Sequence, residues 1–307
     1  MSTESWQTSR RAVLGGLATL PFAGPIARAI EDAPITRPIP SSGEALPVIG
    51  MGSWITFNVG GDQRLRDVRA EVLREFFARG GKLVDCSPMY GTSAEVIGYG
   101  LEKIGRPPQL FAASKVWTWW QSNGPEQTEE QRAAWGVERF DLMQVHNLLN
   151  WDGHLETLKA WKAEGRLRYL GITTSHGSRH GEMEEVMKSQ PLDFVQLTYN
   201  ILDREAEERL LPLAADRGQA VLVNRPFRQK ALIRRFEGYP LPDWAVEIDA
   251  VNWPQFLLKF IVSHPAVTCA IPATSRPDHM AENMGALHGR LPEADLRRRM
   301  VAYVESL

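Results

Sequence analysis

Cysteine is scarce in this 307-residue chain, which has only Cys86 and Cys269. The two residues lie far apart in the sequence, and a single disulfide would be optional in a domain of this size. A disulfide-dense scaffold and a cysteine-built metal centre are therefore excluded. We interpret both residues as small buried apolar side chains, and we predict no metal site.

An excess of charge of either sign is also missing. The chain has 35 Lys and Arg against 37 Asp and Glu, a formal net charge of −2, and no dense stripe of cations. These features give no electrostatic reason to expect nucleic acid as a partner. With 43% apolar and 23% charged residues, the composition is typical of a globular protein with a sizeable core.

No apolar run in the chain is long enough to cross a membrane. The candidate near the start, residues 14–22, is short and contains Gly and Pro, so we predict no stable span. It follows Ser-Arg-Arg at 9–11 and precedes Ala-Arg-Ala at 27–29, an order typical of a bacterial twin-arginine export signal, which carries folded proteins. We therefore predict a Tat-type signal peptide at 1–29, the Tat export machinery as a partner and a periplasmic location, or a cytoplasmic one if the signal is not used.

Apolar runs and amphipathic segments alternate along the rest of the chain. Eight runs are predicted as strands, at Val48–Met51, Lys82–Cys86, Leu110–Ser114, Asp141–Val145, Leu170–Thr173, Phe194–Leu197, Ala220–Val223 and Val267–Ile271. Segments with apolar residues three and four apart are predicted as helices, and they include Leu65–Arg79, Leu155–Glu164, Glu205–Arg217 and Trp253–Ser263. Eight strands alternating with helices indicate an α/β barrel.

The chain is predicted as a single domain. A doubly wound sheet shows the same alternation but wants a G-x-G-x-x-G turn after its first strand, and residues 50–54 read Gly-Met-Gly-Ser-Trp. We therefore favour a (β/α)8 TIM barrel at 47–291. A linker with a short N-terminal hairpin is predicted at 30–46, and a C-terminal helix at 292–307.

Three polar residues end successive apolar runs at a regular spacing. Lys115 lies 30 residues after Asp85, and His146 lies 31 residues after Lys115. About 30 residues is the length of one strand-plus-helix unit, so each side chain is expected at the carboxyl end of its strand, where barrel enzymes carry their chemistry. Tyr90, five residues past Asp85, falls in the loop above the same rim.

These four residues suit the reduction of a carbonyl group. Tyrosine has an unperturbed pKa of about 10, and a nearby Lys115 is expected to lower it and make Tyr90 a better proton donor. Asp85 is the expected partner of Lys115, and His146 can donate a hydrogen bond to a carbonyl oxygen. No side chain can supply hydride, so a nicotinamide cofactor is implied.

Six motifs, in order, resemble the aldo-keto reductase family. They are Val-Asp85-Cys-Ser-Pro-Met-Tyr90-Gly, Ser-Lys115-Val-Trp, Asp-Leu-Met-Gln-Val-His146-Asn, Leu-Gly171-Ile-Thr-Thr, Phe-Val-Gln196-Leu and Ile-Pro272-Ala-Thr-Ser, between about Pro47 and Leu287. The resemblance implies a (β/α)8 barrel that binds NADPH across its rim without a Rossmann domain. It also implies that Tyr90 is the general acid, tuned by Lys115 and Asp85. His146 would position the substrate carbonyl.

The cofactor contacts implied by the resemblance fall on loops at the rim. By position they are Gly52, Ser53 and Trp54 along the dinucleotide, Gln196 at the nicotinamide carboxamide, Thr173 and Thr174 where the family usually has Ser-Asn, Asn224, Arg225, Pro226 and Phe227 where many members have Tyr-Ser-Pro-Leu, and Thr274, Ser275, Arg276, His279 and Asn283 at the adenosine 2′-phosphate. The tyrosine that stacks on nicotinamide is thus missing, and Arg225 or Phe227 is its candidate substitute. Arg276 is the certain cation at the 2′-phosphate, so NADPH is predicted, with NADH as the other possibility. Trp54 and Trp117 are expected to line the substrate pocket.

The leading hypothesis is an NADPH-dependent carbonyl reductase that acts on a small aldehyde or ketone. A cofactor-binding regulatory or redox-sensing protein with little turnover is the alternative, in which the same four residues would persist. A separate interpretation is that Asp85 and Lys115 form a structural ion pair in a barrel with another function. A hydrolase with paired carboxylates is disfavoured, because Asp85 is the one acidic residue among these strand ends. The oligomeric state is not fixed by the sequence, and analogy favours a monomer.

Overall fold

The computed structural model describes residues 33–307, of which Pro34–Leu307 form one unit. The predicted signal peptide at 1–29 lies outside the described residues. The strands are β1 Thr36–Pro38, β2 Ala45–Pro47, β3 Met51–Gly52, β4 Leu83–Asp85, β5 Phe111–Val116, β6 Phe140–Val145, β7 Leu167–Thr173, β8 Phe194–Thr198, β9 Ala220–Asn224 and β10 Cys269–Ala270. The α-helices are α1 Gln63–Ala78, α2 Ser93–Lys103, α3 Gly124–Trp135, α4 Trp151–Ala163, α5 His180–Ser189, α6 Leu210–Asp216, α7 Ala231–Phe236, α8 Trp253–Val262, α9 Pro277–Met284 and α10 Ala294–Glu305. Within 33–307, no helix combines the length and apolar character that a membrane crossing requires.

Strands β3 to β10 form one parallel sheet, with neighbours in chain order. Its two edges meet where Ile49 bridges to Ala270 and Gly52 bridges to Ala273. The approach is close at Gly52, since a Cβ there would lie 2.9 Å from the carbonyl oxygen of Ile271. These bridges join the edge strands and give the (β/α)8 barrel that the sequence predicts.

Side chains inside the barrel are apolar at one level and polar at the next. The apolar level is an inner cluster that includes Leu83, Ala113, Leu142, Phe194 and Leu222. Successive residues of a strand point to opposite faces, so the residue two positions further along each strand returns to the interior. Those residues are Asp85, Lys115, Gln144, Gln196 and Asn224. The barrel therefore carries a polar layer at the carboxyl ends of its strands.

The N-terminal hairpin packs at the other end of this interior. Strands β1 and β2 pair antiparallel, in the segment where the sequence predicts a hairpin. Ile39 and Leu46 from the hairpin are fully buried members of the inner cluster. The hydroxyl of Tyr169 donates to Glu44 Oε2 at 2.7 Å and fixes the hairpin turn to β7. The polar layer consequently faces the opposite, carboxyl-end rim.

Several predicted element boundaries are shifted; strand β3, for example, is Met51–Gly52 where the sequence predicts Val48–Met51. Strand β5 runs to Val116, so Lys115 lies inside the strand rather than just beyond it. The helix predicted at Glu205–Arg217 begins at Leu210 instead. Pro212 explains the shorter helix, because proline has no N–H to donate and its ring clashes with the carbonyl four residues earlier, so it is tolerated only in the first turn.

Both cysteines are buried and unpaired, as predicted. Burial raises the pKa of the Cys86 thiol to about 11. The thiol therefore stays protonated at neutral pH, although it lies beside a catalytic candidate, and a reactive thiolate is not part of the site.

Candidate active site

A buried ion pair between Asp85 and Lys115 lies in the polar layer of the barrel. The Lys115 Nζ atom is 2.5 Å from Asp85 Oδ2 and donates a second hydrogen bond to the Cys86 carbonyl at 2.9 Å. The side chains are 0% and 2% exposed, so both charges have lost nearly all of their water. Burial is the largest single influence on Lys115 and opposes its charge, but Asp85 together with the neighbouring Tyr90 and Cys86 groups raises the pKa of the ammonium. The lysine is therefore charged throughout the neutral pH range.

Two glutamine amides hold the other oxygen of Asp85. Gln144 and Gln196 donate from Nε2 to Asp85 Oδ1 at 3.1 and 3.0 Å, and Gln196 also donates to Gln144 Oε1 at 3.2 Å. These bonds stabilise the ionised carboxylate, since a buried charge needs its lone pairs satisfied. Gln144 is missing from the predicted site. A polar residue two positions before His146, at the period of a strand, is the signal that identifies it.

Tyr90 stands beside the lysine. It ends the 3₁₀ turn Pro88–Tyr90, and its ring centre lies 5.2 Å from Lys115 Nζ and 5.6 Å from the ring centre of His146. Burial raises the pKa of the Tyr90 phenol to about 12, although Lys115 pulls it down. The prediction that Tyr90 is more acidic than an ordinary tyrosine is therefore wrong, because the loss of water around the phenolate outweighs the neighbouring cation.

His146 completes the group of four. It follows β6 directly, and its Nδ1 atom is 2.6 Å from the hydroxyl of Ser87. Burial and the positive charge of Lys115 hold the pKa of His146 well below its usual value. The ring is therefore neutral at physiological pH, with one nitrogen that donates and one that accepts. The structure thus places all four predicted catalytic side chains at one end of the barrel.

The predicted cofactor residues lie around the same rim. Gly52 ends β3, and Ser53 and Trp54 follow it. Thr173 ends β7 and Thr174 follows it, while Gln196 lies in β8. Asn224 ends β9, which Arg225, Pro226 and Phe227 follow, and Thr274, Ser275, Arg276, His279 and Asn283 come after β10. Trp54 and Trp117 are 37% and 39% exposed, so both offer apolar surface at the mouth. Gln127 fixes Trp117 in place, because its amide accepts from the Trp117 N–H at 2.7 Å and donates to the Trp117 carbonyl at 2.9 Å.

Several of these side chains already have protein partners. The hydroxyl of Ser53 donates to a backbone carbonyl at 2.9 Å, and that of Thr174 lies 3.5 Å from the sulfur of Met183. Arg225 donates from Nη1 to the Ser175 carbonyl at 2.9 Å, which ties the loop after β9 to the loop after β7. Their rim positions agree with the family pattern, but the hydroxyls of Ser53 and Thr174 are directed at the protein.

The segment after β10 carries one cation that is already paired. The Arg276 guanidinium forms an exposed ion pair with Asp278, with Nε 3.0 Å from Oδ1. The hydroxyl of Thr274 accepts from the Arg276 N–H at 3.2 Å and shapes this turn. His279 and Asn283 lie four residues apart on α9, so they share a face of the helix.

One buried polar atom near the rim has no partner within residues 33–307. It is the side-chain oxygen of Asn147, next to His146. Buried polar groups are normally paired, so this oxygen suits a ligand that brings its own donor, and a nicotinamide dinucleotide has such donors.

Comparison with known proteins gives the family. The sequence pattern of the aldo/keto reductase family matches residues 48–300. The chain belongs to this family. It is 24% identical to the NADH-specific methylglyoxal reductase of Escherichia coli (strain K12), over 87% of this chain and 98% of that protein. It is also 24% identical to a probable NAD(P)H-dependent D-xylose reductase, xyl1, of Arthroderma otae (strain ATCC MYA-4605 / CBS 113480), over 84% of this chain and 88% of that protein.

A solved structure shares the fold. The aldo-keto reductase of Klebsiella pneumoniae in complex with NADPH matches with a TM-score of 0.71 and 22% identity, over 85% of this chain and 92% of that one. Together with the family match, this confirms the predicted reductase family, the barrel and an NAD(P)H-dependent carbonyl reductase activity. A regulatory protein with little turnover is not favoured. The roles of individual site residues, the preference between the two cofactors and the export signal stay predictions.

The ion pair gives a stability prediction. In Lys115→Met the carboxylate of Asp85 stays buried without its cation, so the free energy of unfolding is expected to fall by about 3–5 kcal/mol. The double variant Asp85→Asn with Lys115→Met removes both charges and keeps an acceptor for the two glutamines, so it should recover most of that loss. Urea unfolding of the three proteins measures the effect. If Lys115→Met were as stable as the wild type, the ion pair would not contribute to the stability of the fold.

Proposed function

We propose that this protein reduces a carbonyl substrate with Tyr90 as proton donor and His146 as the group that orients the carbonyl oxygen. The observation that carries the proposal is the placement of the Tyr90 phenol beside the buried ammonium of Lys115 and against the imidazole of His146. Lys115 Nζ is 5.2 Å from the Tyr90 ring centre, and the two rings meet edge to face at 5.6 Å. A substrate oxygen at the mouth can then be approached by two donors at once.

The step balances with one hydride and one proton. When the reduced nicotinamide cofactor is bound, it supplies the hydride that forms the new C–H bond as the C=O π bond breaks. Tyr90 transfers its phenolic proton to the oxygen, which becomes the alcohol. The phenolate left on Tyr90 is stabilised by Lys115 until solvent returns a proton.

The high pKa of Tyr90 suits this role. A phenol with a pKa of about 12 is fully protonated at neutral pH, so Tyr90 always carries the proton that it donates. Hydride addition to the carbonyl carbon would leave an alkoxide on the oxygen. An alkoxide is a stronger base than a phenolate, so the proton moves downhill from Tyr90 to that oxygen. The neutral ring of His146 adds a hydrogen bond without competing for that proton.

The substrate contacts support a small carbonyl compound with an apolar body. Trp54 and Trp117 stand partly exposed at the rim, and a pocket with aromatic walls and a few polar groups favours such a ligand.

NADPH is the proposed cofactor, with NADH as a second substrate of the same site. The support is Arg276, whose guanidinium can pair with a 2′-phosphate. Asp278 already neutralises part of that charge, so the preference for NADPH should be small. The Escherichia coli relative is NADH-specific by name, and the Klebsiella pneumoniae structure contains NADPH, so the family accommodates both.

Export is proposed from the sequence of residues 1–29. The twin arginine, the short apolar run and the small residues that follow support a Tat signal. Because this route carries folded proteins, the cofactor can leave the cytoplasm already bound to the barrel. Tight retention of the cofactor is then expected, since the periplasm offers no pool of free NADPH.

The proton donor is tested by Tyr90→Phe, which keeps the ring and removes the hydroxyl. Single-turnover reduction of a panel of small aldehydes should slow by roughly 10²- to 10⁴-fold, the usual contribution of a general acid, with unchanged affinity for NADPH. Tyr239→Phe, at an exposed tyrosine, is the matched control and should retain full activity. Equal rates in Tyr90→Phe and wild type would remove Tyr90 from the mechanism. Cofactor binding without turnover of any aldehyde by the wild type would instead support the redox-sensing alternative.

The cofactor preference is tested at Arg276 and its partner. Arg276→Leu should weaken binding of NADPH by about 10-fold and leave NADH binding unchanged, since only the 2′-phosphate needs the cation. Asp278→Asn frees the guanidinium and should strengthen NADPH binding by about 2- to 5-fold. Fluorescence titration with both cofactors measures this, with Arg298→Leu as a control for loss of a surface charge. An identical effect on NADH and NADPH would place Arg276 away from the 2′-phosphate.

Export is tested by replacing the arginine pair with Arg10→Lys and Arg11→Lys. The wild type should appear in the periplasmic fraction as a product shortened by about 29 residues, while the double variant stays full-length in the cytoplasm. Cell fractionation and intact-protein mass spectrometry give the answer. A wild-type product that is cytoplasmic and uncleaved would refute export.

A further inference from the structure

Ser87 makes an unusually well-defined contact with the candidate catalytic histidine. Its side chain is almost fully buried, and its Oγ atom is 2.6 Å from His146 Nδ1. Ser87 lies in extended backbone just before the turn that carries Tyr90. Its carbonyl accepts from the Tyr90 N–H at 3.0 Å, so its position is fixed by the same turn.

The direction of this hydrogen bond follows from counting protons. A serine hydroxyl has one proton and two lone pairs. One lone pair accepts from the Met89 N–H at 3.3 Å. Within residues 33–307, His146 Nδ1 is the one acceptor in reach of the proton. If Nδ1 carried the proton, the buried serine proton would have no acceptor. Buried donors are normally satisfied, so we assign the hydroxyl as the donor to Nδ1, and a neutral ring that accepts at Nδ1 carries its own proton on Nε2.

We propose that Ser87 is a positioning residue that fixes His146 as the Nε2–H tautomer. The inference rests on the proposed function, because it matters only if His146 meets a substrate oxygen. With the proton on Nε2, the ring donates to that oxygen. In the opposite tautomer Nε2 would present a lone pair to the oxygen and repel it.

Because His146 is neutral, its tautomer determines whether Nε2 can donate a hydrogen bond to the substrate oxygen. Burial and Lys115 prevent protonation of the ring, so an imidazolium that donates from both nitrogens is not available at neutral pH. Only the Ser87 hydroxyl disfavours the alternative Nδ1–H form, because it is the one side-chain group within the described range that forms a hydrogen bond with the ring. Removing this hydroxyl leaves Nδ1 buried without a partner, and both tautomers then become populated.

The test compares Ser87→Ala with Ser114→Ala. Ser114 is also fully buried, in β5, and its hydroxyl has no partner within 33–307, so its loss controls for removal of a buried hydroxyl. Two-bond ¹⁵N–¹H spectra of protein labelled at the histidine rings report the tautomer without any turnover, and His146→Gln assigns the signal. Steady-state reduction of a small aldehyde gives kcat and the KM for cofactor. Ser87→Thr keeps the hydroxyl and serves as the rescue variant.

In the wild type and Ser114→Ala we expect a proton on Nε2 and none on Nδ1. In Ser87→Ala we expect a mixture of tautomers and a fall in kcat of about 10-fold, the effect of one lost hydrogen bond, with an unchanged KM for cofactor. Ser87→Thr should restore both. A wild-type ring protonated at Nδ1, or an unchanged tautomer in Ser87→Ala, would overturn the proposal. If Tyr90→Phe keeps full activity the proposed function fails instead, and the spectra still report on Ser87.

Discussion

The buried pair of Asp85 and Lys115 is the constraint on which the site depends. Removing two charges from water is costly, and their attraction compensates only when the remaining lone pairs and protons are satisfied. Here the carboxylate receives Lys115 on one oxygen and two glutamine amides on the other, and the ammonium also donates to a backbone carbonyl. These partners come from strands β4, β5, β6 and β8, so the ion pair ties half of the barrel together at its open end.

One positive charge then acts on two neighbours with different results. At His146 the charge and burial act in the same direction, and both disfavour the imidazolium. At Tyr90 they oppose each other, and burial is the larger effect. Both side chains are therefore protonated neutral groups at physiological pH. The site offers two neutral donors to one oxygen, which is what a carbonyl needs as negative charge develops on it.

The sequence predicts which residues meet but not how each one is satisfied. Asp85, Lys115 and His146 could be placed together because a repeat of about 30 residues delivers one strand end per unit. The direction of the pKa shift of Tyr90 could not be predicted, since it depends on burial, which is a property of the folded chain. Gln144 could have been identified, because it lies two positions before His146 in the same strand and pairs in register with Lys115. Ser87 could not, because it acts by contacting a residue 59 positions away and lies outside the spaced pattern.

The hydrogen bonds already made within the protein also limit which side chains could bind the nicotinamide end of a cofactor. Gln196 donates its amide protons to Asp85 and Gln144, and its Oε1 accepts only one long hydrogen bond, of 3.4 Å, from Asn224. It can therefore accept an N–H from a carboxamide and cannot donate to the carboxamide oxygen. The hydroxyl of Thr173 accepts from the Asn147 N–H at 3.0 Å and keeps its own proton for a further acceptor. A donor at Thr173 and an acceptor at Gln196 together match the two ends of a carboxamide. Thr173 keeps the first hydroxyl of the Ser-Asn pattern, whereas the hydroxyl of Thr174, which stands at the position of the amide, lies against the sulfur of Met183.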